Sequence, residues 1–168
     1  MVGRGRSGHG IRRKRGEALN VLDPAAFAAR FGWPVEGVRL PLAIGHRGAS
    51  AHATENTLAS FARASDLGAA MWELDTQLTS DGVCVVSHDD HLLRVFGIDK
   101  RISQLTAAEL AALDDAEVPS FAAVAALARE RGAGLYVEIK AAGTGMLAWR
   151  ELARHQQRFA ALGSFNTD

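Results

Sequence analysis

The sequence has little of what disulfide-bonded, membrane-spanning or strongly charged proteins need. A single cysteine, Cys84, excludes an internal disulfide, and its place in the apolar run 83–86 predicts a buried strand residue. No run approaches the ~18 apolar residues of a membrane span, and the arginine-rich start lacks the apolar core of a secretory signal, which predicts a cytoplasmic location. Lysine and arginine total 19, as do aspartate and glutamate, so net charge gives no general attraction to nucleic acid. What remains, 168 residues of which 48% are apolar, has the composition of a soluble domain with one core.

The positive charge is concentrated at the start of the chain. Residues 1–16 hold six basic side chains among glycines and almost nothing apolar, which predicts a disordered basic arm. Nucleic-acid binding is the alternative interpretation, but no aromatic residues interleave with the basic ones and no second basic stretch extends the arm. Residues 17–40 are predicted to form a linker and a short helix, with Asp23 as its cap and Pro24 as its first residue. The main domain is then predicted over residues 41–168.

Polar side chains stand at the ends of four apolar, strand-like runs, and helical patterns separate the runs. In α/β folds the chemistry is placed where strands end, so we expect these side chains to form one site. The runs are 40–44, 71–74, 83–86 and 135–139, and the polar residues at their ends are His46 and Arg47, Glu73 and Asp75, His88 and Asp89, and Glu138 and Lys140.

The carboxylates point to a cation. Glu73 and Asp75 are two residues apart on a strand, so both side chains lie on one face, and Glu138 adds a third hard oxygen ligand. Three carboxylates suit Mg²⁺ or Ca²⁺, and the absence of a Cys or His cluster argues against zinc. A network of ion pairs with Arg47 and Lys140 is the alternative reading of the same residues.

Helix signals are clear in the middle of the chain and weak at its end. A helix is expected after Asn56, with Asn56 or Thr54 as its cap. Residues 90–118 are a polar excursion containing the capping box of Thr106 and Glu109, which predicts a short helix through residue 113. A longer helix is predicted to start at residue 120 and to end near 132, and residues 146–162 are predicted to form one final helix.

Five short motifs follow one another in order: HRG at 46–48, ENT at 55–57, E-x-D at 73–75, HD at 88–89 and E-x-K at 138–140. This set resembles the glycerophosphodiester phosphodiesterase family, and the resemblance covers residues 42–140. It implies an α/β fold, a TIM (β/α)8 barrel of the phospholipase-C-like phosphodiesterase type. A complete barrel takes about 250 residues, so we expect a partial barrel with the later strands missing.

The resemblance also implies a function: metal-dependent hydrolysis of glycerophosphodiesters to sn-glycerol 3-phosphate and an alcohol. It implies His46 and His88 as acid and base, in either order, and Arg47 and Lys140 as phosphate-binding residues. It further implies a divalent cation, Mg²⁺ or Ca²⁺, and supporting roles near it. The implied metal ligands are Glu73, Asp75 and Glu138, and the implied supporting residues are Glu55, Asn56 and Asp89. The alternative hypothesis is an inactive or partner-dependent fragment of such an enzyme.

The connection between residues 76 and 83 has two readings. Asp81-Gly82 is typical of a tight hairpin, which we expect to send His88 to the far end of the sheet from the acids. A parallel connection is also possible, since residues 76–82 can span ~23 Å and a five-residue strand is only about 17 Å long. We predict the parallel connection, because the resemblance requires His88 beside Glu73 and Asp75.

Overall fold

The computed structural model describes residues 42–157 and 159–165. The predicted arm, the first helix and the linker therefore lie outside the described residues. Within them, the chain forms five strands and five α-helices. The strands are β1 (Ile44–His46), β2 (Met71–Leu78), β3 (Cys84–Val86), β4 (Gly134–Ile139) and β5 (Ala160–Gly163), and the helices are α1 (Leu58–Asp66), α2 (Leu93–Phe96), α3 (Ala107–Ala111), α4 (Phe121–Arg131) and α5 (Thr144–Arg154), with a 3-10 turn at Ile102–Gln104.

Four strands form a parallel sheet in the order β1, β2, β4, β5. Each of the connections from β1 to β2, from β2 to β4 and from β4 to β5 passes through at least one helix, as a parallel crossover requires. The carboxyl ends of the strands therefore meet at one edge of the sheet. This confirms the predicted parallel α/β architecture and brings the strand-end residues together.

The core lies between this sheet and the helices. Trp72 and Leu74 on β2 and Leu135 and Val137 on β4 are fully buried, and Phe61 of α1 stacks on Trp72 with ring centroids 5.3 Å apart. Burying each large apolar side chain contributes roughly 1.5–3 kcal/mol. Because strand side chains alternate between faces, this apolar packing leaves the acids of β2 on the opposite face.

The connection after β2 is a hairpin, so the predicted parallel connection is wrong. β2 runs on through Leu78, the turn closes with Thr79 N–H donating to Val83 O at 3.0 Å, and β3 returns antiparallel. The return nevertheless carries the chain back to the acids, because Ser87 N–H donates to Asp75 O at 3.0 Å. The hairpin does not send His88 away, since β2 continues for three residues beyond Asp75 before the turn begins.

The end of the chain also differs from prediction. The single helix predicted over 146–162 is wrong: α5 ends at Arg154, and β5 pairs parallel with β4. Gln156 takes a positive φ of 52°, which breaks the helix, and Gln157 Nε2 then donates to Ala133 O at 2.7 Å. The helix therefore ends without the glycine or proline that usually marks such a stop.

Exposed large apolar side chains concentrate at the two sides of the sheet. Neither β1 nor β5 has a second neighbouring strand among the described residues. Trp149 is 59% exposed on α5. With one exception on α2, the exposed large apolar residues lie on β1, β5, α1 or α5 or just after them: Ile44, Leu58, Leu67, Met146, Trp149, Leu162 and Phe165.

Candidate active site

Three carboxylates gather at the carboxyl ends of β2 and β4. Asp75 and Glu138 are neighbours in register, and Glu73 lies beside His46 in the same way. One ligand oxygen from each of Glu73, Asp75 and Glu138 lies within 4.8 Å of the others. Across residues 42–157 and 159–165, this is the one such group of three possible metal ligands.

The two acids of β2 are buried, and cationic or amide groups surround them. Asp75 is fully buried; Asn56 Nδ2 donates to its Oδ2 at 3.0 Å, and Arg47 Nε lies 3.3 Å from the same oxygen. Glu73 Oε2 accepts from the backbone N–H of Arg47 at 2.9 Å. Burial raises the pKa of Glu73, and the nearby Asp75 charge raises it further. The acids are therefore held in place before any ligand arrives.

The position of the Lys140 ammonium shows that positive charge can lie between the acids. Its Nζ lies 2.6 Å from Glu138 Oε1 and 3.5 Å from the buried Asp75 Oδ1. Burial disfavours the ammonium, but the hydrogen bond that it donates to Glu138 and the charge of Asp75 outweigh this effect, so the pKa of Lys140 is raised. The acids thus stabilise positive charge between them, and an all-carboxylate donor set suits Mg²⁺ or Ca²⁺.

His46 ends β1 and is open to solvent. Its side chain is 68% exposed, and Nε2 lies 3.8 Å from Glu73 Oε2. The chain then turns sharply, with φ of 54° at Arg47 and 80° at Gly48. A Cβ on Gly48 would lie 2.4 Å from Ser60 Oγ, so this position requires glycine. Positive φ at a residue such as Arg47 is typical of functional turns.

His88 is held by a chain of charged side chains. Its Nδ1 lies 2.6 Å from Asp89 Oδ1, and Asp89 Oδ2 accepts from Arg94 Nε. Arg94 also donates two hydrogen bonds, of 2.6 and 3.1 Å, to the Glu55 carboxylate. Glu55 Oε1 in turn accepts from Arg47 Nη1 at 3.1 Å. Since Arg47 contacts Asp75, the chain runs without a break from His88 to the carboxylates.

The same chain of contacts shifts the pKa values of its two acids. The hydrogen bond from Arg94 lowers the pKa of Glu55 against the effect of burial, and Arg47 adds to this. Burial acts to raise the pKa of Asp89, but the hydrogen bonds to His88 and Arg94 outweigh it and lower the pKa. Both carboxylates therefore stay ionised well below neutral pH.

In the ENT segment at residues 55–57, the residue that caps α1 differs from the prediction. Thr57, rather than Asn56 or Thr54, caps α1, because its Oγ1 accepts from Ser60 N–H at 3.1 Å. Asn56 takes a φ of 58° and turns its amide toward Asp75. Thus all ten predicted site residues lie in the described chain and join one connected group.

Sequence reasoning missed Arg94. It follows Asp89 by five positions but reaches Glu55, 39 residues earlier, and no motif of the sequence marks it. Its neighbourhood is anchored in a similar way, since Asp90 accepts from Ser103 N–H at 2.8 Å and pairs with Arg101 at 3.3 Å. Charged contacts therefore hold the excursion after β3 together, and Arg94 joins it to Glu55 in the loop after β1.

Comparison with known sequences shows which protein family the chain matches. The glycerophosphoryl diester phosphodiesterase family matches residues 46–163. A glycerophosphodiester phosphodiesterase of Caldanaerobacter subterraneus is 45% identical over 73 residues, which is 44% of this chain and 30% of that protein. A human lysophospholipase D is 45% identical over 67 residues, 40% of this chain and 21% of that one.

Solved structures agree on the fold. A Thermotoga maritima glycerophosphodiester phosphodiesterase superposes with a TM-score of 0.68 at 33% identity, covering 74% of this chain and 54% of that one. An Oleispira antarctica phosphodiesterase in complex with the product sn-glycerol-3-phosphate gives 0.69 at 33% identity, covering 76% and 58%. This confirms the predicted partial TIM barrel.

The alignments cover part of each relative. The matched segments amount to less than a third of the two curated relatives and to just over half of the two solved structures. In the described part of the chain, no helix is both long and apolar enough to cross a bilayer. With the family's pattern matched over residues 46–163, the chain belongs to the glycerophosphoryl diester phosphodiesterase family.

Proposed function

We propose that this site hydrolyses glycerophosphodiesters to sn-glycerol 3-phosphate and an alcohol, with Mg²⁺ or Ca²⁺ as cofactor. The observation that carries the proposal is the group of Glu73, Asp75 and Glu138 at the same sheet edge as two histidines. The Oleispira antarctica relative holds sn-glycerol-3-phosphate as product, which supports the substrate class. We propose residues 41–168 as the domain that carries this activity.

The charged side chains divide the binding work. Glu73, Asp75 and Glu138 would hold the cation, which when bound neutralises negative charge on the phosphoryl group. Arg47 presents a planar fork that matches phosphate oxygens, and Lys140 adds a point charge. The contacts of Arg47 with Glu55 and Asp75 fix its guanidinium before substrate arrives, which lowers the entropic cost of binding.

The two histidines move the protons. Hydrolysis forms a bond from an attacking oxygen to phosphorus and breaks the bond from phosphorus to the alcohol oxygen. One histidine removes a proton from the attacking water, and the other gives a proton to the departing alkoxide. Histidine suits both steps because its ordinary pKa lies close to neutral pH. The two roles fall to His46 and His88.

The test is release of sn-glycerol 3-phosphate from glycerophosphocholine by the purified chain. We expect release with Mg²⁺ or Ca²⁺, loss with a chelator, and a fall of about 10²-fold or more in His46→Ala and His88→Ala. His52→Ala is the matched control, since His52 is exposed in the turn after β1 and lies outside the site. Release that ignores the chelator would contradict the metal, and no release from any glycerophosphodiester would contradict the substrate class.

The unpaired edges of the sheet favour a second candidate, a partner-dependent or inactive fragment. β1 and β5 lack a second neighbour among the described residues, and exposed apolar side chains line both sides. A partner-dependent fragment predicts a specific activity that rises with protein concentration. A specific activity independent of concentration, together with cooperative unfolding of a monomer, would contradict this candidate.

A further inference from the structure

Arg94 joins the two polar loops of the site. Its Nη1 and Nη2 donate to the two carboxylate oxygens of Glu55 at 3.1 and 2.6 Å, while its Nε donates to Asp89 Oδ2. Glu55 belongs to the loop after β1, and Asp89 to the loop after β3. A guanidinium has donors fixed in one plane, so gripping both carboxylates sets their relative positions.

The contact of Arg94 with Asp89 also affects the position of His88. Asp89 uses its other oxygen, Oδ1, to contact His88 Nδ1 at 2.6 Å. An ionised carboxylate can only accept a hydrogen bond, so this contact places the proton of a neutral imidazole on Nδ1. His88 Nε2 is then the nitrogen left to accept a proton.

Without Arg94, the Asp89 carboxylate would lose its only side-chain contact besides His88 in the described chain. The side chains of His88 and Asp89 are 31% and 30% exposed, so water can compete for both. A single exposed contact is weak unless its geometry is fixed. The two hydrogen bonds to Glu55 fix the position of the Arg94 guanidinium. The guanidinium in turn fixes the position of the Asp89 carboxylate.

We propose that Arg94 is a positioning residue that fixes the ring orientation and tautomer of His88 through Asp89. The proposal rests on the proposed function, in which His88 moves a proton. Arg94 does not itself need to touch the substrate. Its effect should therefore appear in His88 and in turnover more than in substrate affinity.

The experiment measures the His88 ring directly by nitrogen NMR of the full chain, which needs no activity. We expect the wild type to show Nδ1–H as the dominant neutral tautomer, and Arg94→Gln to show a mixture of both tautomers. Arg94→Lys should not restore the wild-type signal, because an ammonium is a point charge and cannot hold both carboxylates in one plane. Arg101→Gln is the matched control, since Arg101 lies on the same excursion, is similarly exposed and pairs with Asp90.

Glu55→Gln keeps the test decisive if Arg94→Gln fails to fold. It removes the charge that anchors Arg94 and leaves Asp89 intact, so we expect the same change in smaller measure. If the chain is active, Arg94→Gln should lower kcat about 10- to 100-fold and change KM much less. An unchanged tautomer in the folded variants would overturn the proposal. A changed tautomer in a chain that hydrolyses no diester would instead contradict the proposed function alone.

Discussion

The two histidines sit in one site but are held by different forces. His46 is 68% exposed, its only described side-chain partner is Glu73 at 3.8 Å, and it ends a strand whose next residues turn tightly. His88 is 31% exposed and is fastened by Asp89 and, through it, by Arg94. The backbone therefore positions His46, whereas charged side chains position His88.

Because of this difference, different changes should disturb the positions of the two histidines. A backbone turn depends on steric fit, which changes little with pH or salt. A chain of ion pairs depends on the ionisation of each member, and partly exposed pairs are screened by salt. We therefore expect steric substitutions to disturb His46 most, and the loss of an ion pair to disturb His88 most.

The largest loss of stability is expected from substitution of Asp75, which lies in the cluster of charged side chains that both histidines adjoin. Asp75 contacts Arg47, Asn56 and Lys140 and is fully buried, so Asp75→Ala leaves two cationic side chains without their buried partner. We expect a loss of about 3–5 kcal/mol in the free energy of unfolding, measured in urea with a chelator present. Asp66→Ala is the control: its ion pair with Arg131 is exposed, so the expected loss is below about 0.5 kcal/mol. Equal losses in the two variants would contradict the prediction.

The next effect isolates the turn after His46. Gly48→Ala places a Cβ within 2.9 Å of backbone atoms of Ser60 and Phe61 at a φ of 80°. We expect a loss of about 3 kcal/mol, roughly 1 from the positive φ and about 2 from overpacking. Gly97→Ala is the matched control because its φ is 72° but no atom of the described residues lies within 4 Å of the added Cβ. Only the φ cost of about 1 kcal/mol applies there. Similar losses in both variants would mean that the turn does not depend on the contact with α1.

Much of the site could be predicted from the sequence because its residues stand at the ends of apolar runs. Alternation along β2 places Glu73 and Asp75 on the face opposite Trp72 and Leu74, and the structure has this arrangement. Parallel strands then bring Glu138 beside Asp75. The distant contacts follow from local patterns in these cases, because the sheet repeats them from strand to strand.

The hairpin was mispredicted because β2 looks shorter in the sequence than it is. Thr76 and Gln77 are polar yet buried, so the apolar run appears to stop near residue 74. The turn signal at Asp81-Gly82 was sound, and Gly82 takes a φ of 82°. With the longer strand, a hairpin and a nearby His88 are compatible, so no parallel connection was needed.

Other features left no local signal. The end of α5 depends on Gln156 adopting a positive φ, which neither composition nor periodicity marks. Arg94 matters through a contact with Glu55, 39 residues away in sequence. Such contacts depend on how loops from separate strands approach each other, and a single sequence does not contain that information.

A pH titration should show how much the ion pairs of Arg94 stabilise the fold. The pKa values of Glu55 and Asp89 are lowered in the fold, so their contribution to stability is present above the ordinary values of 4.5 and 3.8 and is lost as pH falls through the lowered values. Acid should therefore lower the unfolding midpoint less steeply in Arg94→Gln than in the wild type. Arg101→Gln should keep the wild-type slope, measured by urea unfolding at a series of pH values. Parallel slopes in the wild type and Arg94→Gln would show that these ion pairs do not stabilise the fold.

The smallest effect concerns the cap of the helix that supports the His46 turn. Thr57 Oγ1 accepts from Ser60 N–H at 3.1 Å and donates to Thr54 O at 2.7 Å, so it fixes both the start of α1 and the end of the preceding loop. We expect Thr57→Ala to cost about 1 kcal/mol in the free energy of unfolding. Thr57→Ser keeps the hydroxyl and should recover most of that loss, which separates the hydrogen bonds from the buried methyl group. Because Ser60 Oγ also donates to Arg47 O at 3.0 Å, a loosened cap should also reach the turn after His46. Equal losses in Thr57→Ala and Thr57→Ser would contradict the role of these two hydrogen bonds.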